Sequence, residues 1–189
     1  MLLSAPIEFH LDLYRYWLSK RGNRAIPARK DIDPAEIPAL LPYLVLVDKQ
    51  GGKLRYRLAG SAIVREVGID PTGSLVGSYV SHDPSSVAAF QTMGEHVLTG
   101  HPYLAAGLYE VKPGVVHNFL VLLLPMSDDG TNVNMVLALR IARFCSYLNA
   151  SKDWLEGVPL RLISLNEVRD AADLERQCLD WERSCQKFE

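Results

Sequence analysis

Between Tyr103 and Phe144 three strand-like stretches follow one another with only tight turns between them. They are Tyr103 to Lys112, Asn118 to Pro125 and Val133 to Phe144. Lys112-Pro113-Gly114 and Ser127-Asp128-Asp129-Gly130 separate them, and both are turn-forming by residue type. Parallel neighbours need a crossover of a dozen or more residues, so strands joined this closely run antiparallel. An earlier pair obeys the same logic. Tyr43 to Val47 is apolar throughout, Gln50-Gly51-Gly52 makes a turn, and Leu54 to Leu58 alternates. Leu54, Tyr56 and Leu58 then share one face, and Arg55 and Arg57 the other.

Helical signals surround these strands. Ile7, Leu11, Tyr14 and Leu18, with Trp17 beside them, recur at helical spacing until Arg21-Gly22-Asn23. Asp33-Pro34-Ala35-Glu36 carries a cap, an N-terminal proline and an acid able to reach back to the cap, and Pro42 stops the short helix. Ser61 to Val67 makes one or two turns closed by Gly68, and Asp70-Pro71-Thr72-Gly73 is a turn. Asp83-Pro84 opens the longest central helix, Ser85 to Thr99, which Gly100 closes. After a loop around Asn149 to Gly157, Ser164-Leu165-Asn166-Glu167 fits a capping box ahead of a helix running to about Lys187. The order predicts an α+β fold: a five-stranded antiparallel sheet flanked by helices, with further helices at both ends.

Several function classes fall away. At 189 residues with 48% hydrophobic and 22% charged residues, the chain suits one globular domain. A net charge of -2 gives no basic field for nucleic acid. The longest apolar run, Phe119 to Met126, is far short of the roughly 20 residues of a membrane helix. Glu8 and Asp12 interrupt the first apolar stretch, which lacks the basic start of a signal peptide. An odd number of cysteines, three, fits a reducing compartment, so the cytoplasm is the expected location. Cys145 stands alone, and the seven-residue step from Cys178 to Cys185 suits an apolar seam rather than zinc. No phosphate loop, dinucleotide fingerprint, nucleophile elbow or zinc-protease motif occurs. Ser81-His82-Asp83 holds triad residue types, but adjacency in sequence is not triad geometry, and Asp83 reads better as a cap. No metal site is expected.

Three segments carry a resemblance: Asp31 to Asp48 (DIDPAEIPALLPYLVLVD), Arg55 to Ser61 (RYRLAGS) and Gly68 to Gly73 (GIDPTG). They resemble a family of bacterial, stand-alone PAS-like proteins, over about Leu11 to Phe144. The family's strand order, two strands, several helices, then three strands, agrees with the order read above. The resemblance implies a sensory or regulatory module, not an enzyme, that binds a small molecule between sheet and helices and signals through protein contacts. With no output domain read in this sequence, signalling is expected to pass to a partner or through the oligomeric state. The expected division is an N-terminal helix and basic loop (1–30), a PAS-like domain (31–147), and a loop and C-terminal helix (148–189). Two alternatives stay open: a dimerising adaptor with a filled core, and a small α+β enzyme, for which no acid/base pair is found by spacing.

The ligand is unknown. The flavin-binding subclass carries a reactive cysteine where this chain reads Gly60-Ser61-Ala62-Ile63-Val64-Arg65, which argues against covalent flavin. Haem-binding members often place an axial histidine on the central helix, where His96 lies. At about 100° per residue, His96 points roughly 130° from the apolar face of Val87, Phe90, Met93, Gly94, Val97 and Leu98. That direction argues against haem. Phe90, Met93 and Val97, with Ile63, Val64 and Val67, are the expected pocket walls. Arg57 is the candidate polar anchor if the Leu54 face packs under the N-terminal helix, and a surface or ion-paired residue otherwise. Arg140 carries the same ambiguity.

Two further features bear on partners. Arg15, Lys20, Arg21, Arg24, Arg29 and Lys30 crowd a stretch without acids, which reads as a solvated helix end or a local anionic-partner surface. Ala171, Leu174, Cys178, Trp181, Cys185 and Phe188 step by heptad spacing. Leu174, Cys178, Trp181 and Cys185 are the expected seam of a homodimer or a helical partner. A helix folded back on its own domain would show a similar stripe.

Overall fold

A computed structural model describes residues 7–78, 84–112, 115–148, 161–165, 168 and 170–186. Helix α1 spans Glu8–Arg21, followed by three short 3-10 turns. Strands β1 (Leu44–Gln50) and β2 (Lys53–Ala59) come next, then helices α2 (Ser61–Val67) and α3 (Pro84–Val97). Strands β3 (Tyr103–Lys112), β4 (Val115–Met126), β5 (Met135–Leu148) and β6 (Arg161–Ser164) lead to helix α4 (Ala171–Gln186). All strands join one antiparallel sheet in the order β2-β1-β5-β4-β3-β6. The five expected strands are therefore in place, and β6 extends the sheet beyond β3. Gly51 and Gly52 turn the first hairpin at φ 56° and 78°, the left-handed pair that a two-residue connection needs.

Both faces of the sheet are covered, which is why the Phe119–Met126 part of β4 reads as an apolar run. Leu120, Leu122 and Leu124 face one core, with Leu13, Trp17, Leu104 and Leu139. Phe119, Val121 and Leu123 face the other, with Ile63, Phe90, Met93 and Val97. The first core lies under α1, and the second under α2 and α3.

Polar contacts lock α1 down. The Trp17 indole N–H donates to the Pro125 carbonyl at 2.9 Å. His10 is 1% exposed, with Nδ1 3.1 Å from the Ile7 carbonyl and Nε2 3.2 Å from that of Leu120. The buried face of α1 is thus His10, Leu11, Leu13 and Trp17. Of the residues that the apolar periodicity names, Leu11 and Trp17 are buried, whereas Ile7, Tyr14 and Leu18 are only partly so.

Local acids absorb much of the basic stretch. Lys20 pairs with Glu36 at 2.5 Å, Arg24 with Asp31 at 2.8 Å and Arg15 with Asp12 at 3.3 Å, while Arg21 lies over the Trp17 ring. The Lys20 ammonium holds the Glu36 carboxyl below its ordinary range. A hydrogen bond from the Ala28 amide, then Arg24, does the same for Asp31. Glu36 therefore reaches α1 rather than its own helix cap. The Asp33 carboxylate does accept from the Ala35 amide at 2.9 Å.

The chain after β5 departs from expectation in two places. Ser164, expected to cap the last helix, ends strand β6 opposite Tyr103, and the helix starts at Ala171, where Asp170 accepts from the Asp173 amide at 2.8 Å. Leu174, placed by its spacing in a partner seam, is fully buried in the core that holds Leu13 and Trp17. The first turn of α4 is spent on the chain's own domain. The side chains of Cys178, Trp181 and Cys185, together with Ser81-His82-Asp83 and the Asn166-Glu167 half of the capping box, lie outside the described residues.

Candidate functional site

The second core is not filled. Between the sheet and α3 it leaves a partly open cavity of about 60 Å³. Its walls come from β1 (Val45, Val47), β2 (Leu54, Tyr56), α2 (Ile63), α3 (Phe90, Met93, Gly94), β4 (Val121, Leu123) and β5 (Val136, Ala138, Arg140), with Pro71 and Val76. Period-two alternation along the strands brings these side chains to one face. The rings of Phe90 and Phe119 stack at 5.9 Å beside them.

Of the expected wall residues, Ile63, Phe90 and Met93 line the cavity. Val97 is fully buried in the same core without lining it, and Val67 packs against that core from its margin. Val64 is half-buried and not among the cavity walls.

Arg57 is not brought to the site. Tyr56 points into the second core, so by alternation its neighbour lies on the opposite face. There Arg57, its side chain 55% exposed, pairs with Asp48 at 3.1 Å. Leu58 fails its expectation as well, being 48% exposed: Leu46 pairs with Leu58 but Val47 with Tyr56, so a bulge at Arg57 breaks the alternation and turns Leu58 to the face opposite Tyr56.

The charged wall residue is Arg140. It is 4% exposed, and its Nη2 donates to Glu66 Oε1 on α2 at 2.5 Å. A buried guanidinium needs such a partner, because taking a lone charge out of water costs several kcal/mol. Strand alternation names the two arginines equally; only packing of the helices onto the sheet separates them.

His96 is exposed, its ring edge-on to Tyr103 at 5.7 Å. It points away from the cavity, as its helical phase predicts. No cysteine is among the residues lining the cavity. Among the described residues, no cluster of three or more His, Cys, Asp or Glu side chains could hold a metal ion. As it stands, the cavity is smaller than the roughly 150 Å³ engineered site that admits benzene.

A PAS domain family model matches residues 8–139, more than half the chain. The chain belongs to the PAS domain family. Among solved structures, one described as "Flavin Analogue Sheds Light on Light-Oxygen-Voltage Domain Mechanism" is similar at 14% identity and a TM-score of 0.44. The match covers 65% of this chain and 87% of that one. No curated protein matches.

Proposed function

We propose that this chain is a sensory or regulatory PAS module, without catalytic activity, that takes a small and mainly apolar molecule between the sheet and α3. The observation that carries this reading is a mainly apolar cavity beneath α3 with a buried ion pair in its wall. An apolar interior with few polar groups is the usual form of a small-molecule site. Arg140 supplies that polar group in place of Arg57, and its partner Glu66 ties the cavity to α2. A ligand acceptor competing for the guanidinium would loosen the Glu66 contact, and α2 would carry the change to the surface. Output passes by protein contact, as a homodimer or with a helical partner. Leu174 is committed to the core, so pairing would use the later turns of α4. No helix among the described residues is long and apolar enough to cross a membrane, and we place the module in the cytoplasm.

One observation favours a second reading. At about 60 Å³ the cavity is near the size of a packing defect, which suits an adaptor that needs no ligand.

Native mass spectrometry and thermal-shift screening separate the two. A ligand selective for the native state raises the midpoint by mass action. Ala138→Leu, with the milder Ala138→Val as a control for folding, should abolish that shift while leaving the unliganded protein folded. Identical responses in wild type and both variants would place any binding elsewhere.

A further inference from the structure

We propose that the groove between the first hairpin and α3 is the mouth of the cavity, and that it selects an elongated ligand with an apolar body and an anionic head. The inference rests on the ligand-binding reading above and specifies its substrate class.

The groove measures about 390 Å³, several times the cavity, and is lined by Lys49, Gly52, Lys53, Leu54, Leu75 and Val76 facing Gln91, Glu95 and Leu98 of α3. Leu54 and Val76 line both spaces, so they form the partition between them. Val76 is held by backbone, its amide donating to the Leu54 carbonyl at 2.9 Å. The Leu54 side chain is the movable part. It sits in the notch left by Gly94, where an added Cβ would collide with Leu54 Cδ1. On this proposal, rotation of that side chain into the groove would join groove and cavity.

The dimensions set the ligand's shape. In the sheet register, Lys49 pairs with Leu54 at the hairpin end, and Leu44 pairs with Leu139, next to Arg140, at the other. Five residues of strand separate the two ends, roughly 17 Å at about 3.3 Å per residue. Apolar walls run between them. The mouth sets the head group. Lys49 and Lys53 are exposed, and neither they nor Glu95 take part in an ion pair among the described residues. Two ammonium groups against one carboxylate leave a net positive rim. A carboxylate or phosphate there keeps its contact with water while its chain enters the cavity, avoiding the cost of burying the charge.

Hexanoate and hexan-1-ol, titrated into the full chain and followed by calorimetry, test this. Wild type should bind hexanoate at least about threefold tighter than the alcohol, with the preference falling as salt rises. Lys49→Gln/Lys53→Gln should equalise the two by weakening hexanoate alone. Leu54→Trp should weaken both with the melting midpoint retained. If that variant instead unfolds, Val76→Trp blocks the same partition from the other side. Equal binding of the two probes by wild type overturns the anionic head, as does a double lysine variant that keeps the full preference. Unchanged binding in a folded Leu54→Trp or Val76→Trp protein overturns the mouth. Failure of both probes to bind wild type overturns the ligand-binding reading and this inference with it.

Discussion

Breaking the Arg140–Glu66 pair should be among the most costly single changes at the cavity. The guanidinium is 4% exposed and the Glu66 side chain 12%, with 2.5 Å between Nη2 and Oε1. Charge centres about 4 Å apart attract by about 4 kcal/mol at an effective dielectric of 20. Glu66→Ala removes that attraction at a buried cation; a fully uncompensated charge would cost about 3–5 kcal/mol, and the contacts Arg140 keeps beyond Glu66 hold the loss toward the lower end. For a chain of this size each kcal/mol moves the melting midpoint by about 2–4 °C, so a fall on the order of 10 °C is expected. Arg57→Ala is the internal control. Its ion pair with Asp48 is more than half exposed on the arginine side, and such pairs contribute less than about 1 kcal/mol. Glu66→Leu/Arg140→Met should recover much of the loss, because a pair of similar apolar volume removes the desolvation cost. Urea and thermal unfolding of the four proteins form the assay. Equal, small losses for Glu66→Ala and Arg57→Ala, with no recovery in the double variant, would refute the claim that the buried Arg140–Glu66 pair is a main support of this wall.

Two further outcomes follow from the same packing. Leu174→Ala, at a fully buried position, should cost roughly 2–5 kcal/mol without changing the mass in analytical ultracentrifugation, while Leu179→Ala, 38% exposed, should stay within about 0.5 kcal/mol. The Ser127 hydroxyl, with amides of the Asp129–Asn132 turn, holds the Asp129 carboxyl far below its ordinary value. A depressed carboxyl stabilises above its unfolded pKa and loses that contribution as pH falls through the folded one. The melting midpoint should therefore drop below about pH 4, near the unperturbed Asp value, and drop less steeply in Asp129→Asn.

Particular residues show where the sequence speaks and where it stops. The hairpins are legible because their turns are local chemistry: Gly51-Gly52 adopts the left-handed pair that its composition predicts. The outward direction of His96 is legible because helical phase is local too. Which face of β2 the cavity occupies is not, since alternation separates Tyr56 from Arg57 without saying which helix covers which side. Arg140 was ambiguous for the same reason, and Glu66, its partner 74 residues away, gave no signal in the pattern. His10 broke the apolar stripe of α1, because a histidine can be buried once its ring nitrogens find carbonyl oxygens. β6 covers only Arg161–Ser164, too short for alternation to distinguish it from loop, and its pairing with β3 is a tertiary contact. Leu174 fits both a partner seam and a fold-back stripe, and only the core beneath it decides.

The central claim is that a small molecule enters the core beneath α3 and not the core beneath α1. Methyl-labelled NMR spectra of the full chain, recorded with rising hexan-1-ol, test it directly because methyl groups line both cores. Ile63, Met93, Val121 and Val136 should shift in a saturable way, while Leu104, Leu122 and Ile163 on the other face stay in place. Saturable shifts confined to the α1 face, or none in either core, would contradict the account.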